Sequence, residues 1–506
     1  MTAQRSRRPV AGERRDSTGV SGLDEILHGG FPQSHLFLIA GEPGAGKTTL
    51  GLQFLMEGAR QGGRVLYITM SESEDELRQI ARSHGWSLDG VTIYQYTPQG
   101  TNLSPEEQYS VFHPSDVEFQ DTTQEILTEV RRINPARVVL DSLSEIRLLA
   151  RDPLRYRRQV LALKQYFNAR DCTVLLLDDR TASVQDNQLE SIAHGVILLE
   201  VVPRDYGNIR RRLQVTKLRG SAFREGYQDF VIRKGGLRIF PRLITGEDHL
   251  RTPKGTVSSG IARLDALWGG GLDRGTSALF MGPAGSGKSS LACAYSVSAA
   301  RRGEVAVVFL FEESVSSACK RGAILGFDAN SVIDSEKFHI RKIDSSDLSP
   351  GEFVDQVRHA VQELHAKVIV VDSLNGLLQV MPNEETLTVQ LHQMLAFLNN
   401  NGVVTIVVLS QAGLVATRQE SPVDLSYLAD NVLLFRYFET GGRVRKALSV
   451  VKKRTGDHED TIRELIFSEG RISLGPPLTE FRGVLTGVPT YVGPMKVFED
   501  QHASAG

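Results

Sequence analysis

The chain has 506 residues, of which 41% are hydrophobic, 23% charged and 7% aromatic. Its 58 basic and 60 acidic side chains give a formal net charge of -2, and this composition excludes a disordered or fibrous protein. At roughly 100–200 residues per domain the length predicts about two to four domains, each large enough to fold without a metal or a disulfide.

The first residues, 1–16, carry five arginines against Glu13 and Asp16 and contain few apolar side chains. We expect a solvated, disordered tail rather than a binding site for an anionic partner. The rest of the chain is close to neutral, so nucleic-acid binding is not expected.

The cysteines Cys172, Cys293 and Cys319 are widely spaced and form no CxxC pair, which is typical of a reducing compartment. The longest apolar runs, such as residues 403–409, are far shorter than the ~20 residues that cross a bilayer. No apolar signal core occurs in the first residues. We therefore expect a cytoplasmic protein without membrane association.

The most informative feature is an internal repeat. The segment 17–24 returns as 258–265, and Lys288 follows Lys47 by the same offset of 241 residues. Two homologous halves explain this register better than chance. The predicted organisation is a basic tail, an N-terminal domain, a linker, a C-terminal domain and a short tail, at residues 1–16, 17–245, 246–257, 258–495 and 496–506.

Later landmarks are closer together, since Asp372 follows Asp141 by only 231 residues. The first half therefore carries extra residues. The polar stretch from Thr97 to Gln124 is rich in Gln, Ser, Pro and Glu, and it predicts a surface loop.

Within each half, apolar strand-like runs alternate with amphipathic helical stretches. The runs are 36–40, 64–69, 137–140 and 173–177 in the first half, and 277–281, 306–311, 368–371 and 403–409 in the second. Continuous Val, Ile and Leu runs between helices are typical of parallel strands buried on both faces. Each half is therefore predicted to be an α/β domain with a mostly parallel, doubly wound sheet.

Both halves contain the phosphate-binding pattern GxxxxGK[ST], at residues 41–48 and 282–289. Each copy follows an apolar strand and opens an amphipathic helix, which is the context that makes the pattern credible. The glycines let backbone N–H groups face the phosphates, and the lysine neutralises their charge. The predicted nucleotide-binding residues are Gly44, Gly46, Lys47, Thr48 and Thr49, with Gly285, Gly287, Lys288, Ser289 and Ser290 in the second half.

The partner acid of such a site is expected at the end of another buried strand. Asp141 and Asp372 fit this description, and each is followed by Ser-Leu. Together with the hydroxyl groups of Thr48 and Ser289, they are predicted to hold Mg²⁺, directly or through water. Since no Asn-Lys-x-Asp motif for guanine is present, ATP is favoured over GTP.

Hydrolysis also needs a group that orients or deprotonates the attacking water, usually a carboxylate at a strand end near the phosphates. In the second half a predicted strand runs into Glu312 and Glu313, which the repeat aligns with Ser71 and Glu72. Acids that merely favour a helix entry are the alternative. We interpret Glu312, Glu313 and Glu72 as catalytic, because the strand adjoins that of the P-loop.

A Lys-x-Arg pair occurs near the end of each half, at Lys217 and Arg219 and at Lys452 and Arg454. Residues i and i+2 of a strand point to the same side, so each pair presents two cations on one face. A single pair is usually a solvated strand face. The recurrence favours a role toward phosphate, on the nucleotide of a neighbouring subunit.

The order of these motifs resembles the KaiC family of RecA-like ATPases, which includes the core ATPase of the cyanobacterial circadian clock. The shared features are a Ser-x-Gly-x-x-x-Leu-Asp opening, the P-loop, the acidic strand end, the Val-x-Asp-Ser strand and the terminal Lys-x-Arg. All occur twice between about residues 17 and 495. The resemblance implies two tandem RecA-like P-loop NTPase domains and a double-ringed homohexamer with ATP between subunits. Lys217, Arg219, Lys452 and Arg454 would then contact phosphates in trans.

The resemblance further implies a phosphoacceptor. In the clock protein the second domain phosphorylates a Ser-Thr pair before an Asp-containing strand, and the matching residues here are Ser426 and Tyr427. By this analogy Glu312 activates the acceptor hydroxyl; an ordinary loop serine is the alternative interpretation of Ser426. One serine does not encode the states of a two-site cycle, and Ser71 implies altered or slow hydrolysis in the first half.

The segment after Thr490 is shorter than the partner-binding tail of the clock protein and differs from it in sequence. A KaiA-type partner is therefore not expected, and a non-clock bacterial or archaeal relative with another signalling partner fits better. The leading interpretation is a KaiC-like Mg-dependent ATPase and serine autokinase that works as a signalling or timing regulator.

Two other classes stay open. A DNA motor of the RecA or DnaB type shares the core fold, but the even charge, the missing zinc ribbon and the duplicated unit count against it. A nucleotide-gated scaffold with little turnover is the other class, and Ser71 is the residue that favours it.

Overall fold

The computed structural model describes residues 14–96, 114–150, 152–180, 187–203, 207–243, 254–327, 335–380, 384–411, 426–440, 442–468, 470–485 and 489–493. The chain divides into two compact units, Met1–Arg242 and Leu243–Gly506. The predicted tail 496–506, the first 13 residues of the basic tail and the linker as far as residue 253 lie outside the described ranges. Within those ranges, every helix is too short or too polar to cross a membrane.

The first unit is built around a nine-stranded sheet flanked by helices. Its elements in chain order are β1 (Arg15–Asp16), α1 (Leu23–Ile26), β2 (Phe31–Pro32), β3 (Leu36–Gly41), α2 (Lys47–Arg60), β4 (Val65–Thr69), α3 (Glu74–His84), β5 (Val91–Gln95), α4 (Pro114–Ile133), β6 (Arg137–Asp141), α5 (Leu143–Ala150), α6 (Pro153–Asn168), β7 (Thr173–Asp179), α7 (Asn187–Ile192), β8 (Gly195–Val202), β9 (Arg210–Leu218), β10 (Tyr227–Arg233) and β11 (Gly236–Phe240). The sheet order is β11-β10-β9-β8-β3-β7-β6-β4-β5. Strands β8 to β5 in this order are parallel, and β9 to β11 extend the sheet in antiparallel fashion.

The second unit repeats this architecture. Its elements are β12 (Thr256–Val257), α8 (Ala262–Leu267), β13 (Leu272–Asp273), β14 (Ser277–Pro283), α9 (Lys288–Arg301), β15 (Ala306–Leu310), α10 (Val315–Ile324), β16 (Phe338–Lys342), α11 (Pro350–Gln362), β17 (Val368–Asp372), α12 (Leu374–Val380), α13 (Glu384–Asn400), β18 (Val404–Gln411), β19 (Asn431–Thr440), β20 (Arg443–Lys453), β21 (Arg463–Ser468), β22 (Arg471–Pro477), β23 (Phe481–Arg482) and β24 (Thr490–Tyr491). The nine-stranded sheet has the order β16-β15-β17-β18-β14-β19-β20-β21-β22. Read from β22 to β16, this order matches that of the first sheet strand for strand. The prediction of two tandem, mostly parallel, doubly wound domains is confirmed.

Each sheet separates two hydrophobic cores, one on either face. In β3, Phe37 and Ile39 belong to one core, whereas Leu36, Leu38 and Ala40 belong to the other. Successive side chains of a strand point to opposite faces, so a sheet covered on both sides requires a continuous apolar run. Each buried large apolar side chain contributes roughly 1.5–3 kcal/mol. Each P-loop therefore follows a strand that is packed against a hydrophobic core on both faces.

The surface loop predicted from Thr97 to Gln124 is wrong in its second part. Residues 97–113 lie outside the described ranges, but α4 begins at Pro114. Proline suits the first turn of a helix, where its missing N–H costs nothing. Further along, Ile126, Val130 and Ile133 are buried at helical spacing and anchor α4 on the core. These residues lie beyond Gln124, so the composition of the stretch itself did not indicate the helix.

Candidate nucleotide-binding sites

Both P-loops connect a buried strand to the N-terminus of a 14-residue helix, α2 in the first unit and α9 in the second. The residues that precede these helices, Gly46 and Gly287, have φ angles of 105° and 107°. This left-handed backbone favours glycine. Neither helix has a side-chain cap. The N–H groups of the first turn are thus open to an anion, and the helix dipole favours negative charge there.

The P-loop lysines curl back over their own loops. Lys47 Nζ donates to the carbonyl oxygens of Gly41 and Glu42, each at 2.9 Å. Lys288 Nζ makes the equivalent bonds to Gly282 and Pro283. Burial lowers the pKa of Lys288 to about 8, although nearby carboxylates oppose that shift. An added phosphate group would favour the charged form of this amine.

The predicted magnesium ligands lie next to each other in both units. Thr48 Oγ1 donates to Asp141 Oδ2 at 3.0 Å. Burial raises the pKa of Asp141, and burial likewise raises that of Asp372, while a hydrogen bond from Ser289 opposes the second shift. Hydroxyl and carboxylate oxygens beside a phosphate cradle are the hard donors that Mg²⁺ prefers. The donor set therefore fits Mg²⁺ in each unit.

The second site forms a cavity of about 750 Å³. The predicted residues that line it are Gly285, Gly287, Lys288, Ser289, Ser290, Glu312, Glu313 and Asp372. The two acids have different partners: Glu312 Oε1 accepts a hydrogen bond of 2.8 Å from Ser373 Oγ, whereas Glu313 forms an ion pair with Arg321. Since Arg321 neutralises Glu313, Glu312 is the acid better placed to accept a proton.

In the first site, serine replaces glutamate at one of the two equivalent positions. The backbone N–H groups of Met70 and Phe311 bond the carbonyl oxygens of Asp141 and Asp372, so the turns that follow are equivalent. Glu312 thus corresponds to Ser71 and Glu313 to Glu72, as the repeat predicts. The expectation that their strand adjoins that of the P-loop is wrong, because β17 and β18 lie between β15 and β14 in the sheet.

Glu72 has no counterpart of the arginine at 321, because Ile80 occupies that position of the repeat. Its buried Oε2 has no hydrogen-bond partner in the described part of the chain. Burial raises the pKa of Glu72 to about 7, and the charges of Asp141, Glu76 and Asp179 add to the shift. A carboxyl group with such a pKa is suited to proton transfer near neutral pH.

The remaining P-loop residues, Thr49 and Ser290, are buried in the first turn of their helices. Gly44 and Gly285 also have positive φ, at 76° and 74°, which keeps the loops curled.

The Lys-x-Arg pairs contact the backbone that precedes the first antiparallel strand pair, which is the end of helix α7 in the first unit and a turn at residues 426–428 in the second. In the first unit, Lys217 Nζ donates to the carbonyl oxygens of Glu190 and Ser191, and Arg219 donates to that of Ser191. The side chains do converge on one turn, as the strand alternation predicts. Their proposed contact with a neighbouring subunit is a separate matter that stays a prediction.

The second unit repeats these contacts around the candidate phosphoacceptor. Lys452 Nζ donates to the carbonyl oxygen of Ser426 at 2.8 Å, and Arg454 donates to that of Tyr427 at 2.6 Å. Arg454 also pairs with Asp430. Ser426 therefore sits in a turn that two cations of the same unit hold in place, and its structural equivalent in the first unit is Glu190.

Several side chains near the sites were not predicted, among them Tyr67, Arg321 and Asp179. Tyr67 donates from its hydroxyl to Asp141, Arg321 pairs with Glu313, and Asp179 pairs with Lys47. Asp179 had a signal, because it follows a buried apolar strand in the same way as Asp141. Tyr67 and Arg321 lie within an apolar strand and an ordinary helix, where no motif distinguishes them.

Comparison with known proteins agrees with this geometry. A family model described as "ATPase: KaiC" matches residues 17–244 and again residues 257–479. The chain belongs to the KaiC family of ATPases. The KaiC model thus fits each half separately, so the duplication seen in the sheets is a duplication of one ATPase domain.

Similar KaiC proteins match over nearly their full length. The circadian clock oscillator protein KaiC of Picosynechococcus sp. is 26% identical over 499 residues, which cover 96% of this chain and 94% of that protein. The circadian clock protein KaiC3 of Synechocystis sp. is 25% identical over 491 residues, 95% of each chain. The KaiC oscillator protein of Thermostichus vulcanus is 25% identical over 489 residues, 94% of this chain and 92% of that protein.

Proposed function

We propose that the chain is a Mg²⁺-dependent ATPase with a site in each half and that it serves as a KaiC-like signalling or timing regulator in the cytoplasm. The observation that carries this proposal is the convergence of one P-loop with Asp372 and Glu312 in the cavity of the second unit. Phosphate cradle, metal-side carboxylate and proton acceptor are the parts that phosphoryl transfer from ATP needs.

Each residue has a defined task in the second site. Lys288 and the N–H groups of α9 bind the β- and γ-phosphates, and Ser289 and Asp372 would hold Mg²⁺. The metal, when bound, neutralises charge that builds up on the phosphate oxygens. Glu312 orients the attacking hydroxyl group and takes its proton, while Glu313 stays paired with Arg321.

The test is steady-state ATP hydrolysis by the full-length chain with the parent substitution Lys47→Ala, so that only the second site turns over ATP; the substitutions below are made in this parent chain. Glu312→Gln should lower kcat by about 10²- to 10⁴-fold, the usual contribution of a general base, with ATP still bound. Glu313→Gln is the matched control and should lower kcat less. Lys288→Ala should remove turnover at the second site. Equal rates in Glu312→Gln and its parent chain would contradict the role of Glu312 as the proton acceptor. Strong stimulation of ATP hydrolysis by single-stranded DNA would favour a DNA motor instead.

We further propose that Ser426 is phosphorylated in a hexameric ring. The hydroxyl oxygen of Ser426 attacks the γ-phosphorus, and its proton passes to Glu312. The bond between the γ-phosphorus and the β–γ bridging oxygen breaks, and ADP leaves. In the described part of the chain, Ser426 is not among the residues that line the cavity of its own unit, which favours ATP of a neighbouring subunit as the donor. Intact-mass measurement after incubation with Mg-ATP should show one phosphoryl group per chain. Ser426→Ala should abolish it and Tyr427→Phe should not; an unphosphorylated parent chain would refute this step.

Native mass spectrometry of the same samples tests the ring, where we expect six subunits in the presence of ATP. Sites shared between subunits also predict complementation. Arg454→Ala and Lys288→Ala are each expected to be impaired, and a mixture of the two should recover part of the activity because mixed rings contain intact pairs. A mixture no more active than its components would argue against trans contacts by Arg454.

A further inference from the structure

The two P-loop lysines differ in one direct ionic contact. Lys47 Nζ lies 2.7 Å from Asp179 Oδ1, in addition to its bonds to two carbonyl oxygens. Asp179 pairs with Gly41 in the parallel register of β7 and β3, and Ser410 pairs with Gly282 in the same register of β18 and β14. The second unit thus carries a neutral hydroxyl where the first carries a carboxylate.

The neighbouring acid, Asp178, has its own cation. It pairs with Arg147 at 2.6 Å and accepts a hydrogen bond from Ser144. Asp179 points instead to the P-loop, where Lys47 is 8% exposed and Asp179 36% exposed. Burial, and to a smaller extent the charge of Asp179, raise the pKa of Glu72 and of Asp141.

This arrangement sets a carboxylate against a phosphate. The amine of Lys47 is the group that neutralises the β- and γ-phosphates in a P-loop. A triphosphate brings a further negatively charged group close to a carboxylate that already holds this amine. Like charges at such distances repel strongly in a partly buried site, and one lysine does not fully compensate both.

We propose that Asp179 is a specificity-determining residue that makes the first site favour ADP over ATP relative to the second site. It competes with the γ-phosphate for Lys47, whereas the uncharged Ser410 does not compete for Lys288. The inference rests on the proposed function, because it assumes that both P-loops bind adenine nucleotides. At a given ratio of ATP to ADP, the first site then holds ADP more often than the second site does.

The test compares dissociation constants for ADP and for a non-hydrolysable ATP analogue, measured on the full chain with Mg²⁺. In a Lys288→Ala background only the first site is read. There, Asp179→Ser should lower the ratio of the analogue constant to the ADP constant by about tenfold, which corresponds to 1.4 kcal/mol. Asp179→Glu keeps the charge and should leave the ratio high.

The reciprocal exchange keeps the test independent of one variant's folding. In a Lys47→Ala background, Ser410→Asp should raise the ratio at the second site by about the same factor. Ratios unchanged in both exchanges, with nucleotide still bound, would overturn the role of Asp179. Loss of both nucleotides in the Lys288→Ala chain itself would refute the first ATP site, and the inference with it.

Discussion

At the scale of single residues, the two sites differ in how their carboxylates are compensated. Glu313 has Arg321 as an ionic partner, and Glu312 accepts a hydrogen bond from Ser373. In the described part of the chain the Glu72 carboxylate has neither and lies close to other acids, so burial and like charge raise its pKa to about 7. The first site is therefore built around an acid that changes protonation in the physiological range.

This difference predicts a pH dependence for the first site. A base must be deprotonated to act, so turnover in a Lys288→Ala chain should rise as the pH rises through about 7 and then level off. Below the pKa the rate should fall about tenfold per pH unit, as expected for a single group. Initial ATPase rates across this range provide the measurement.

The matched control is the second site, read in a Lys47→Ala chain, which should lack the inflection that Glu72 produces. Glu72→Gln should remove the pH-dependent part of first-site activity. A pH-independent first site would contradict the role of Glu72 as a base.

At the scale of elements, the start of α3 holds the turn that carries Glu72. Ser73 caps the helix by accepting from the backbone N–H of Glu76, and the Glu76 side chain accepts from the backbone N–H of Ser73. Thr69 Oγ1 bonds both the N–H and the carbonyl oxygen of Glu72. This reciprocal capping fixes the direction in which the chain leaves β4.

Loss of the cap should therefore affect both stability and the first site. Ser73→Ala is expected to cost about 1 kcal/mol of unfolding free energy and to lower first-site turnover. Chemical denaturation and ATPase rates in the Lys288→Ala background measure the two effects. Ser314→Ala, at the equivalent cap of α10, is the matched control and should leave the first site unchanged. An unaltered rate in Ser73→Ala would show that the cap does not position Glu72.

The sequence predicts regular elements well and side-chain partners poorly. The central strands were predictable because parallel strands buried on both faces must be apolar without interruption, and the P-loops because their glycines and lysine recur in one order. The first part of helix α4 was missed because the buried apolar residues described in this helix, from Ile126 onward, lie beyond the polar stretch. The ion pair of Lys47 with Asp179 depends on how β3 and β7 align, which no local pattern contains.

The whole molecule contains one type of ATPase domain twice in a single chain. The two sheets share strand order and the two P-loops share helix starts. The acids around them have diverged, as the exchange of Ser410 for Asp179 illustrates. Such divergence allows one half to respond to nucleotide differently from the other while both retain the same phosphate cradle.

The claim on which the rest depends is that each half binds one nucleotide through its own P-loop. Equilibrium dialysis with labelled nucleotide and Mg²⁺ measures this directly. At saturation we expect two nucleotides per chain, one in Lys47→Ala or Lys288→Ala, and none in the double variant. A saturating value below two for the unsubstituted chain, or a double variant that still binds, would contradict it.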